Sequence, residues 1–111
     1  MVHRDIKSGN MLISRDNHIK LCDFGSAALH RKGDMTTQAG TPQFAAPELI
    51  VPDQRHKINE KCDIWSFGCV MWHMLTLSSP HEEAQHQFTA LLWVGWGVRE
   101  AIPEDMPSFF R

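Results

Sequence analysis

The sequence predicts an α+β fold that is mostly α, and three features carry the prediction. Two short β-prone runs lie near the start, a stretch ending at Thr76 is apolar on nearly every helical face, and a later stretch repeats apolar residues at helical spacing. The runs are Met11-Leu12-Ile13 and His18-Ile19-Lys20-Leu21. Between them stands Ser14-Arg15-Asp16-Asn17, turn-formers apart from the Arg, so the pair reads as a small hairpin. From Gly25 to Gly40 the chain is polar, with little to bury, and reads as a long surface loop of the kind that carries function. Pro42, Pro47 and Pro52 then leave room for one helical turn, Pro47-Glu48-Leu49-Ile50, with proline at its first position.

Asn59 is placed to cap the next helix, with Glu60 in its first turn. Ile64, Trp65, Phe67, Cys69, Val70, Met71, Trp72, Met74 and Leu75 leave that helix no polar face, which predicts burial on all sides. Ser78-Ser79-Pro80 ends it. Glu82 to Trp93 follows as an amphipathic helix with Phe88, Leu91 and Leu92 on one face, broken by Gly95 and Gly97.

The 111 residues, 42% hydrophobic and 22% charged, suit one small globular domain rather than a disordered chain. A net charge of −2 argues against broad capture of nucleic acid or an anionic membrane. Cys22, Cys62 and Cys69 form no even set and no C-x-x-C pair, so reduced thiols without disulfides are expected, in a cytoplasmic or nuclear protein. There is no secretory signal pattern, and the most apolar stretch, Ile64 to Leu75, is too short to span a bilayer.

Three strings stand in order: His3-Arg4-Asp5 with Asn10 five residues after Asp5, then Asp23-Phe24-Gly25, then Ala46-Pro47-Glu48. Ten specified residues at fixed spacing coincide by chance on the order of 10⁻¹³ per alignment, at about 1 in 20 per site. The set resembles the catalytic loop, metal-binding loop and activation-segment end of the protein kinase family, and Asp63-Ile64-Trp65-Ser66-Phe67-Gly68 resembles the start of that family's buried central helix. The resemblance implies a partial kinase large lobe over residues 1–111.

It also implies roles. Asp5 accepts or orients the proton of a substrate hydroxyl; Lys7 places a cation on the transferring phosphoryl group of ATP; Asn10 and Asp23 offer hard oxygens to Mg²⁺. Asp5-Ile6-Lys7 and Gly40-Thr41-Pro42 resemble the serine/threonine type, in which a threonine at the Thr41 position contacts the catalytic Asp and Lys. Thr36 and Thr37 are either plain loop surface or phosphorylation sites, in which case Arg4 is the bidentate partner for the phosphate. The implied partner is a protein substrate, a downstream kinase among the candidates by the resemblance to the MAP kinase kinase kinase branch, which rests on Gly40-Thr41-Pro42-Gln43-Phe44, Val94-Gly95-Trp96-Gly97 and Ile102-Pro103. Ala45 stands where that branch has methionine, and Ser79-Pro80-His81 where it has a basic residue, proline and tryptophan.

Cys22 is expected to face the nucleotide pocket without a catalytic role, and Cys62 and Cys69 to be core residues. His81 and His86 are five residues apart, about 140° off one helical face, which argues against a zinc helix. Trp65 and Trp72 read as core, while Trp93 and Trp96 are candidates for an exposed docking surface. The 111 residues contain no Gly-rich loop, no strand lysine of the Val-Ala-Ile-Lys kind and no helix glutamate to pair with such a lysine, and the arginine expected to pair with Glu48 would follow Arg111. Two functions therefore stand open: a piece of a phosphotransferase, inactive by itself, or a non-catalytic interaction module.

Overall fold

The computed structural model describes residues 1–27, 41–84 and 86–108. The hairpin forms where turn chemistry puts it: β1 (Met11–Ile13) pairs antiparallel with β2 (Ile19–Leu21), Met11 opposite Leu21 and Ile13 opposite Ile19. His18 stays in the connection instead of joining β2. Its N–H donates to the Ser14 hydroxyl and its carbonyl accepts from the Ser14 N–H, which closes the turn. Asp16 accepts from the Ser14 hydroxyl and lies 2.7 Å from His18 Nδ1. The Ser14 bond, the Asp16 backbone and His18 together hold its carboxyl below the usual range.

Of the long polar loop, Gly25, Ser26 and Ala27 are described, and Phe24–Ser26 forms a 3₁₀ turn. Past it, α1 (Pro47–Ile50) is the single turn expected, with Pro47 at the first position, where a missing N–H removes no bond. Two 3₁₀ segments flank it, Pro42–Phe44 and Pro52–Lys57, each opened by a proline whose fixed φ suits a tight turn.

The long helix, α2 (Lys61–Thr76), begins one residue later than expected. Glu60 is the N-cap and Asn59 precedes it, because the first turn is wound tightly: Cys62 N–H reaches the Asn59 carbonyl and Asp63 N–H the Glu60 carbonyl. Asn59 still caps, its Oδ1 accepting from Lys61 N–H at 2.8 Å.

Burial on all sides of α2 is not what the structure shows. Cys62, Ser66 and Val70 form one buried stripe, four residues apart, whereas Ile64 is 66% exposed and Phe67, Met74 and Leu75 are exposed too. Among the described residues, the buried stripe is the one that faces residues 2–6 and 44–46, and residues 99–101 partly cover a second side. Trp65 and Trp72 are accordingly half-buried rather than core: Arg99 lies 4.6 Å over the Trp65 ring, and Trp72 Nε1–H donates to the Ala101 carbonyl at 2.9 Å.

The amphipathic helix, α3 (Gln87–Gly95), is shorter than the expected Glu82 to Trp93, because residues 81–83 turn instead, with His81 at φ 54°. Its buried positions are Ala90 and Val94, small enough to let α3 sit close on α1 and the Pro42–Phe44 turn. Phe88 is 69% exposed, and with Leu91 and Leu92 it lines an apolar groove of about 360 Å³ against Ile50 and Pro52. Trp96, on the same groove, is exposed as expected; Trp93 is half-buried against His81.

The core has two parts. Val2, Ala45, Ala46, Leu49, Ile58 and Cys62 pack together, with Ile50 and Trp65 against them. Ile6, Phe44 and Val70 form the second, joined by Met11 and Cys69. Ala45 is thus a buried contact, and a methionine there would have to displace neighbours. No helix among the described residues is long and apolar enough to cross a membrane.

Ser66 ties α2 to the segment beneath it, its hydroxyl 2.7 Å from the Phe44 carbonyl and 3.1 Å from the Cys62 carbonyl. Ser66→Ala leaves the buried Phe44 carbonyl without this donor, and a loss of about 1–3 kcal/mol in unfolding free energy is expected by urea titration.

Candidate active site

Residues 3–8 run as a loop beside α2, and Asp63 in the first turn of that helix fixes them. Its Oδ2 accepts from His3 N–H at 2.7 Å and its Oδ1 from Arg4 N–H at 2.9 Å. Arg4 takes φ 67°, a left-handed conformation that a long side chain rarely adopts. Such a residue persists where neighbours over-determine it, and the Asp63 carboxylate does so on both adjacent N–H groups.

His3 is buried, and both ring nitrogens are engaged. Nδ1 accepts from Asp5 N–H at 3.2 Å, so the ring proton sits on Nε2, which donates to the Cys22 carbonyl at 3.0 Å. Phe24 lies against the same imidazole, ring centroids 4.8 Å apart. Cys22 N–H in turn reaches the Asn10 carbonyl at 2.9 Å. The loop bearing Asp5 and the turn bearing Asp23 are therefore one construction, hinged on His3 and Cys22.

The side chains of Asp5, Lys7, Asn10 and Thr41 meet. Lys7 Nζ donates to Thr41 Oγ1 at 2.9 Å, and Thr41 Oγ1 donates its single proton to Asp5 Oδ1 at 2.8 Å. That proton count fixes the direction of the chain, Lys7 to Thr41 to Asp5. On the other carboxylate oxygen, Lys7 Nζ is 3.9 Å away and Asn10 Nδ2 3.3 Å. Asn10 Nδ2 also donates to the Asp5 carbonyl at 2.9 Å. Both amide protons of this buried residue are spent on Asp5, and its Oδ1 accepts no hydrogen bond among the described residues.

Asp23 is exposed at φ 59°, its Oδ1 3.3 Å from Gly25 N–H. It does not join the Asp5 cluster by a direct hydrogen bond among the described residues; the link runs through Cys22. One amide oxygen and one exposed carboxylate suit Mg²⁺, which takes one or two protein oxygens and completes its shell from water and phosphate. Arg4 is placed by its backbone as above, while Thr36 and Thr37 lie outside the described residues.

The protein kinase domain model matches residues 1–101. The chain belongs to the protein kinase family. It is 40% identical over 110 residues to the mitogen-activated protein kinase kinase kinase dlk-1 of Caenorhabditis briggsae, covering 96% of this chain and 12% of that protein. It is 38% identical over 115 residues to mitogen-activated protein kinase kinase kinase 12 of Rattus norvegicus, covering all of this chain and 12% of the relative. A putative serine/threonine-protein kinase/receptor R818 of Acanthamoeba polyphaga mimivirus is 36% identical over 110 residues, 99% of this chain and 6% of the relative. The chain thus spans an eighth or less of these relatives' length.

Two residues that organise the kinase loop escaped the sequence motifs as acting residues, Asp63 and His3. The signal for Asp63 was present: a carboxylate in the first turn of a helix with no polar face needs donors from elsewhere. His3 had none beyond its place in the motif.

The cysteines are free thiols. Burial, then the negative charges of Asp63 and Glu48, push the Cys62 thiol up to about 12; burial, then Glu100, pushes Cys69 to about 11. A raised thiol value means that the neutral form is favoured by folding, so this contribution is complete below the ordinary value of 9.0 and is lost as pH climbs through 11 to 12. Iodoacetamide at pH 8.5 should leave Cys62 and Cys69 unmodified in the folded protein and alkylate both after denaturation, read by peptide mass mapping.

Proposed function

We propose that these residues form the hydroxyl-activating and metal-facing side of a serine/threonine kinase active site, which transfers the γ-phosphoryl group of ATP to a protein hydroxyl. The observation that carries the proposal is the chain from Lys7 through Thr41 to Asp5. It holds a carboxylate, as an acceptor, beside a cation, with Thr41 fixing the spacing of the two. Phosphoryl transfer asks little covalent work of a protein; it asks for position and for charge neutralisation.

In this assignment Asp5 orients the substrate hydroxyl and receives its proton, and Lys7 places its ammonium where negative charge shifts during transfer. Asn10 Oδ1 and an Asp23 oxygen would hold Mg²⁺. When bound, the metal supplies charge neutralisation across the ATP phosphates. The likeness to mitogen-activated protein kinase kinase kinases supports a protein substrate and a place in a phosphorylation cascade. Arg4 remains the assigned partner for a phosphate on Thr36 or Thr37.

The 111 residues by themselves are assigned no turnover. They hold no Gly-rich loop and no lysine-bearing strand of the Val-Ala-Ile-Lys kind to grip ATP from the other side, and α2 leaves large apolar side chains uncovered. A second reading, an interaction module without catalysis, is favoured by the apolar groove between α1 and α3, with Phe88 and Trp96 on it.

The two readings separate in a radiolabelled phosphate-transfer assay. The protein at its full natural length should phosphorylate serine or threonine in a protein substrate, and Asp5→Asn should lower kcat by about 10²–10⁴-fold. The 111-residue chain should give no transfer above that variant. Unchanged turnover in Asp5→Asn would remove Asp5 from the chemistry.

A further inference from the structure

His73 lies ten residues beyond Asp63 on α2, about 15 Å along the axis. Its Nδ1 is 3.2 Å from the Ser8 hydroxyl, and its ring centroid is 6.2 Å from that of Phe44, planes inclined at 37°. Ser8 directly follows Lys7. Phe44 closes the 3₁₀ turn that Thr41 begins, its N–H 3.0 Å from the Thr41 carbonyl. His73 therefore touches a near neighbour of each partner in the Lys7–Thr41 bond. Beneath it, Ile6, Phe44 and Val70 pack as one cluster, so the loop, the Thr41–Phe44 turn and α2 share a single floor.

We propose that His73 is a positioning residue: with Ser8 and Phe44 it forms a bracket that sets the distance between the loop carrying Asp5 and Lys7 and the turn carrying Thr41. Asp63 fixes the start of that loop and His73 its far end. Without the His73 contact, the loop keeps the packing of Ile6 and the Asn10 bonds but loses its polar tie to α2 at Ser8, and the Lys7–Thr41–Asp5 chain lengthens at its Lys7 end. The Ser8 hydroxyl both donates and accepts, so the bond stands with His73 neutral or protonated, and the bracket is not a pH switch. The competing role, a histidine in the last turn of α2 that merely complements the helix dipole, would give Ser8 no part.

The inference rests on the phosphotransfer reading, and the test keeps the two apart. Ser8→Ala, His73→Ala, the double variant and His73→Asn are compared in the protein at its full natural length. Each Ala variant should lower kcat about tenfold, the scale of a displacement well under an ångström, with KM for ATP unchanged within about twofold. The double variant should be no worse than the poorer single one, because both remove one bond. His73→Asn should recover kcat to within about threefold, since its amide oxygen can take the place of Nδ1. Full kcat in Ser8→Ala, or losses that multiply in the double variant, would overturn the proposal. Should His73→Ala fail to fold, Ser8→Ala and His73→Asn carry the same comparison. If the unmutated protein transfers no phosphate, the function reading fails, and the bracket is read instead from melting temperatures: non-additive shifts for Ser8→Ala and His73→Ala sustain it, additive shifts overturn it.

Discussion

The structure depends on one carboxylate accepting two backbone N–H groups. Asp63 holds His3 and Arg4 against the start of α2, and the loop that carries Asp5 and Lys7 begins at that attachment. The magnitudes favour it. A hydrogen bond to a charged group contributes about 1.5–3 kcal/mol, so two outweigh the roughly 1–3 kcal/mol of a non-glycine residue in the left-handed region. Arg4 can be strained because Asp63 is there, and the strain turns Asp5 toward Lys7, Asn10 and Thr41 rather than along a regular strand.

From that attachment the construction spreads in two directions. The His3 imidazole carries it to Cys22 and Phe24, and so to the turn that presents Asp23. Ser66 carries it to Phe44 and the Thr41 turn. α2 is the common rail: Asp63, Ser66, Val70 and His73 all face the loop or the Thr41–Phe44 turn, and the opposite side of the helix remains uncovered among the described residues. The candidate site is thus arranged by a helix whose own sequence is chiefly apolar, with a few polar atoms at the positions that set geometry.

How far this was legible depended on how local the cause was. The hairpin and the Pro47 turn were legible because turn residues and proline act over a few positions. The meeting of Asp5, Lys7 and Thr41 was not readable from spacing at all, since Thr41 lies 36 residues from Asp5; it came from family resemblance. Hydrophobic periodicity overstated the burial of α2, because an apolar face states what could be covered, not what covers it. On α3 the larger Phe88 and Leu92 stay exposed, because close packing on the Pro42–Phe44 turn selects Ala90 and Val94, which size and spacing do not announce. His73 was hidden for the opposite reason, as a single polar residue inside an apolar pattern.

Amide hydrogen exchange on Asp63→Ala tests the central role of that carboxylate most directly. The account predicts that exchange at His3 and Arg4 accelerates by about tenfold or more, while the amides of Ser66 to Val70 in the interior of α2 keep their protection. Unchanged protection at His3 and Arg4 would contradict it, because the loop would then be held by something other than Asp63.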